Sequence, residues 1–383
     1  MISASKTLAF ALAAPSILAL SSCAAPNNVA SIADSAACAP SGGLMFVCGA
    51  ERPEDIARIP ETHWLIASGF SRGAGLKLVD TQSQTARLWF TGDADQIDAD
   101  AALYADCATP PDPAAFTARG ISLRVNTSTG ATLHVVNHGG RESIEVFSVT
   151  WGSSAPRLRW RGCIPLPDGL VANSVATFSD GTVLFTVLTL PGRTITDFVR
   201  GEDTGAVFEW RPGVGEIRRL SGTELPGNNG LETSRDDRAF YVVAFGRREI
   251  VMFDRADTSR PLRRAVAPGF MPDNIHWDGD RLIAAGMTYD EPACGGVRQI
   301  VDGVADTMMC HRGYVAAQVD PETLSFRVLS YGEPNPQFNG VSAAVLMGDM
   351  LWLGSYQADR LAFRRLPYLA PASPPLTRPQ SGE

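Results

Sequence analysis

Short apolar stretches rich in Val, Ile, Phe, Trp and Tyr alternate along this chain with turns of Gly, Asp, Pro and Asn. Almost no segment carries a helical period. That pattern predicts an all-β array. One unit recurs: a polar pair, an apolar residue, a short strand, a turn and a second apolar strand. Its copies are EDIARIPETHWLIASG (54–69), RGISLRVNTSTGATLHVVN (119–137), NSVATFSDGTVLFTV (173–187), NGLETSRDDRAFYVVAF (229–245), DNIHWDGDRLIAAG (273–286) and NGVSAAVLMGDMLWLGS (339–355). Spread over residues 54–366, this makes about 52 residues per unit, somewhat above the usual length of a four-stranded blade. The expected fold is a six-bladed β-propeller over residues 46–366, a ring that leaves only short, protected sheet edges.

Aligning the copies on their first apolar residue brings chemistry into register. Two places before it stand Glu54, Arg119, Asn173, Asn229, Asp273 and Asn339; one place before stand Asp55, Gly120, Ser174, Gly230, Asn274 and Gly340. In a propeller the first strand of each blade lines the central channel, so equivalent positions converge at one mouth. Converging carboxylates and carboxamides make an all-oxygen cage, which suits a hard cation of flexible coordination, above all Ca²⁺. His276 and Trp277 continue the strand that starts at Ile275 and are expected to be packing residues.

Composition narrows the function classes. The chain has 383 residues, 33 basic and 41 acidic, for a formal net charge of -8, with no basic run to neutralise phosphates. A nucleic-acid partner is therefore not expected. Lys6 precedes the apolar run TLAFALAAPSILAL (7–20), too short for a comfortable membrane span, and LSSC (20–23) resembles a bacterial lipoprotein processing box. Residues 1–22 are thus expected to be a lipoprotein-type signal peptide and Cys23 the lipidated residue. Residues 23–45 are expected to be a linker and 367–383 a flexible tail. The implied address is export to the bacterial cell envelope, tethered to a membrane by lipid.

Cys38, Cys48, Cys107, Cys163, Cys294 and Cys310 remain, an even number that in an exported chain favours disulfides. Pairing Cys294 with Cys310 closes a short loop worth ~3 kcal/mol in the loop-entropy account. GFSRG (69–73) matches a nucleophile elbow literally, but AGLKLVD follows as a strand where that motif needs a helix, so Ser71 reads as a blade turn.

With ED at 54–55, GIS at 120–122, VVNH at 135–138, ESIEVF at 142–147, NSVA at 173–176, NGL at 229–231, DNI at 273–275 and LWLGSYQADRLAF near the end, the chain resembles the paraoxonase and gluconolactonase (regucalcin-like) superfamily of calcium-dependent propellers. The resemblance implies a catalytic calcium held by Glu54, Asn173, Asn229, Asp273 and Asn274. It implies a second ion at Asp55 and the Ile121 carbonyl, whose other carboxylate falls on Ser174, losing a charge. It also implies hydrolysis of small lactones or esters, with a metal polarising the carbonyl. One histidine of the family's pair matches His138; the other falls on Arg119, which stays protonated and is no base. Asp273 is then the expected base, with Arg119 assisting the oxyanion or an anionic substrate group. The competing expectation is a non-catalytic, calcium-stabilised binding module at the membrane surface.

Overall fold

The computed structural model describes Met1 and residues 38–367, so the expected signal peptide, Cys23, most of the linker and the tail from 368 onward lie outside the described residues. Six four-stranded sheets and one two-stranded hairpin make up the described strands. In five of the sheets the strands follow chain order, innermost first; the fifth is interrupted by the hairpin Ile300–Val301 and Val304–Ala305. Each innermost strand touches those of its two neighbours, and Ile56–Arg58 of blade one touches Val341–Met347 of blade six, which closes the ring. The fold is the six-bladed β-propeller expected.

Blade six departs from a simple sixfold repeat. Its own stretch supplies Val341–Met347, Met350–Ser355 and Arg360–Arg365, and the outermost strand is Met45–Cys48 from the start of the chain. Met45 pairs with Phe363 and Cys48 with Arg360. A disulfide from Cys38 to Cys48 fastens this strand, a second joins Cys107 to Cys163, and the third is the expected Cys294–Cys310 bridge.

Burial falls from the axis outward. In blade three the second strand, Val183–Val187, is buried along its whole length, whereas the outermost, Ile217–Arg219, is mostly exposed. The exposed edges of blades three and four carry Arg218, Arg219, Arg263 and Arg264. Charge on an edge strand discourages pairing with another chain. The acidic loop after residue 93 is pinned to blade two through the Cys107 disulfide and a bridge from Ile97 to Trp160.

The polar pairs lie in β-bulges. Register shifts fall between Ala118 and Ile121, Ala172 and Val175, Asn228 and Leu231, and Pro272 and Ile275. The residues left unpaired are Arg119–Gly120, Asn173–Ser174, Asn229–Gly230 and Asp273–Asn274. A bulge frees residues from the ladder and re-aims their side chains. Here it does so at the same level of four inner strands. Gly120 and Gly230 are glycine because the next blade comes close: a Cβ on Gly120 would lie 2.6 Å from Asn173 O, and one on Gly230 2.4 Å from Asp273 O.

Candidate metal centre and active site

The structure brings Glu54, Asn173, Asn229, Asp273 and Asn274 together, each at most 6% exposed. Asn274 Nδ2 donates to Glu54 Oε1 at 3.2 Å. What the cage leaves over is decisive. Glu54 Oε2, Asn173 Oδ1, Asn229 Oδ1 and Asn274 Oδ1 are buried with no hydrogen-bond partner. Buried polar atoms are nearly always satisfied, so four orphaned oxygens beside a further carboxylate fit a hard cation. Burial pushes the carboxyls of Glu54 and Asp273 well above the usual range; Arg119 opposes this, and their negative neighbours add to it. A divalent cation would supply the missing counter-charge.

Asn339, the sixth equivalent position, turns away: its side chain takes the Arg312 N–H and donates to Gln357. The set implied for a second ion does not fit one. Asp55 accepts from Ile56 N and His276 Nε2 on Oδ1 and from Ile121 N on Oδ2, so Ile121 meets it through its N–H and an imidazole stands where a cation is needed. Ser174 Oγ is buried without a partner and brings no charge. His276 is thus an ion-pair partner and not merely a packing residue.

Arg119 Nε lies 3.7 Å from Glu54 Oε1, and its guanidinium carbon sits 4.8 Å from the centre of the Phe70 ring. Phe70 belongs to the GFSRG turn, whose Ser71 O accepts from Ala74 N. His138 Nδ1 faces Glu142 Oε2 at 2.8 Å; its Nε2 is buried without a partner, and the ring packs edge-on to Phe70. His138 does not line the cavity that opens over the cage.

That cavity holds about 700 Å³, with Glu54, Arg119, Asn229 and Asp273 at its base. Leu188, Ile195, Phe198, Phe245, Met308 and Tyr356 make its walls largely apolar. Part of the wall is the helix Ile195–Val199, started by a capping box between Thr194 and Asp197. The inner strands run from the cage to a second opening of about 380 Å³, lined by Arg124, Glu232 and His276 among others. None of the residues around that second opening carries an orphaned buried polar atom. Cys107, Glu145 and Cys163 also cluster, but the sulfurs are bonded to each other and Glu145 is engaged by Arg141 and Trp160, so they hold no metal.

No family model matches the chain, and no curated protein matches it either. Among solved structures, the chain is similar to a gluconolactonase from Xanthomonas campestris at 15% identity and a TM-score of 0.49, over 85% of this chain and 89% of that one. It is also similar to the calcium-binding protein regucalcin from Agrobacterium tumefaciens at 11% identity and a TM-score of 0.46, over 85% and 95%. Luciferin-regenerating enzyme follows the same pattern, at 14% identity and a TM-score of 0.47, over 86% and 96%.

Proposed function

We propose that the chain is a calcium-dependent hydrolase of small lactones or esters. The observation that carries this is the set of four orphaned oxygens beside Asp273, opening on a cavity large enough for a small organic molecule. Bound in the cage, calcium supplies a Lewis acid for a substrate carbonyl. Asn173, Asn229 and Asn274 contribute neutral oxygens, so Glu54 and Asp273 are the only two charges needed to balance a divalent ion. The Asp273 carboxylate takes a proton from water as the water oxygen bonds to the carbonyl carbon. The acyl C–O bond then breaks, and the proton passes from Asp273 to the departing alkoxide. Arg119 places a permanent positive charge beside this region and opposes the negative charge that develops on oxygen.

The test is a hydrolysis screen of lactones and aryl esters with and without calcium, repeated on Asp273→Asn. The variant keeps an oxygen ligand but loses the proton acceptor, so turnover falls ~10²-fold or more while calcium still binds. Near-normal turnover with calcium bound would move the base elsewhere. Calcium binding with no turnover on any substrate would leave the binding-module reading. The lipid anchor is a separate proposal, supported by LSSC (20–23): Cys23→Ser is expected to release the protein from membranes or block its processing.

A further inference from the structure

The long connection in blade five, between Arg281–Thr288 and Tyr314–Val319, supplies one wall of the cavity. The Cys294–Cys310 disulfide closes it, and a small hairpin pairs Ile300 with Ala305 inside the closed loop. Ala305 N–H donates to Thr196 Oγ1 at 3.0 Å, which ties the hairpin to the helix Ile195–Val199. From this clamped insert Arg298 reaches the cavity wall. Its Nε donates to Asp306 O at 2.7 Å, and its guanidinium carbon lies 5.8 Å from the centre of the Phe198 ring. Among the described residues Arg298 forms no ion pair.

Charge around the cavity balances as it stands, three acidic residues to three basic, and a bound divalent cation would leave an excess of two positive charges. Its acidic residues are Glu54, Asp273 and Asp197, and its basic ones Arg119, Arg200 and Arg298. Arg200 and Asp197 face each other at 3.7 Å, and a divalent cation would balance Glu54 and Asp273. Arg119 stays beside Glu54 at the base. That leaves Arg298 as a guanidinium that feels the Asp306 carboxylate but makes no ion-pair contact with it among the described residues, set in an apolar wall where its charge is poorly solvated.

We propose that Arg298 is a specificity-determining residue that selects substrates whose hydrocarbon portion ends in a carboxylate. This deepens the hydrolase reading and rests on it for the word substrate. The apolar walls take the hydrocarbon, and the guanidinium fork takes the carboxylate through charge-assisted, bidentate hydrogen bonds. The disulfide and the Thr196 contact hold the insert, so the cation is positioned before the ligand arrives.

The experiment uses calcium-loaded full-length protein and two inert probes, octanoate and octanedioate, with binding read by calorimetry. One carboxylate on either probe can engage the cage; only octanedioate has a second for Arg298. Wild type is expected to hold octanedioate at least 10-fold more tightly than octanoate. Arg298→Gln is expected to bring the two within about twofold while octanoate binds as before, and Arg298→Lys to recover part of the preference. An absent preference in wild type, or a preference unchanged in Arg298→Gln, overturns the assignment; so does equal weakening of both probes. A kinetic arm separates this from the hydrolase reading: kcat/KM in Arg298→Gln falls at least 10-fold on an ester bearing a carboxylate and stays within about twofold on its neutral methyl ester. A protein that hydrolyses neither ester yet shows the octanedioate preference loses the hydrolase reading and keeps the role of Arg298.

Discussion

His276 Nε2 lies 2.6 Å from Asp55 Oδ1, joining blade five to blade one just beneath the oxygen cage. Burial alone would push the imidazole pKa down, but Asp55, helped by Glu232 at 3.7 Å, reverses this and raises it to about 10. The pair is an internal cation facing a fully buried carboxylate. His276→Ala should therefore destabilise the protein by ~3–5 kcal/mol, because it strands a buried charge. Adding Asp55→Asn to that variant should recover part of the loss. Denaturant midpoints of the two single variants and the double variant measure the coupling, and strictly additive losses would count against the pair.

Removing the ion should loosen the ring. A ligand that binds only the folded state stabilises it by mass action, and the metal-free cage keeps two buried carboxyls and four orphaned oxygens. Chelation is expected to lower the melting temperature, and calcium to restore it in preference to zinc, whose tetrahedral nitrogen and sulfur chemistry the cage does not offer. A melting curve unchanged after verified metal removal would sink the cage.

Gly230 offers a test of how the cage is assembled. A methyl group there meets the Asp273 backbone, which has no side-chain freedom with which to retreat. Gly230→Ala should displace Asp273 and weaken calcium binding on the order of 10-fold or more, as changes around a ligand commonly do. Titration calorimetry with calcium reads this directly.

His134 predicts the acid limb of stability. Burial lowers its pKa from 6.5 to about 4, and its Nδ1 lies 3.1 Å from Thr177 Oγ1. The unfolded chain thus binds the proton more readily than the folded one. Its contribution is complete above about pH 6.5 and is lost as pH falls toward 4, up to ~3 kcal/mol. In His134→Gln, denaturation midpoints should fall less steeply across that window; an identical slope would exclude His134 as the source.

The residues of the cage were legible because a repeat writes them at the same place in each unit. Glu54, Asn173, Asn229, Asp273 and Asn274 stand out once the copies are aligned, since a ring turns equal sequence positions into equal spatial ones. The bulges were not legible, because nothing in an isolated polar pair before a strand says whether it is paired. The role of His276 is hidden for a different reason: its partner is 221 residues away, in another blade, and the strand pattern around it looks like ordinary alternation. Arg298 was equally hidden, since the insert that carries it has no counterpart in the other units. The repeat shows only blade six's own stretch, which holds three of its strands and not the fourth.

That fourth strand, Met45–Cys48, imposes an order on events. Emerging early from the ribosome, it has no partner until Arg360–Arg365 has been made, more than 300 residues later. Domains generally fold as their chain is made, N-terminal part first. Here the earliest segment must wait for the latest. Until it docks, blade six has an open outer edge, a template on which a strand from a second chain can lodge. The Cys38–Cys48 bridge does not hasten that meeting, since both its ends lie on the waiting side. Dilution during refolding should therefore favour the ring, and crowding of half-made chains should favour exchanged strands between them.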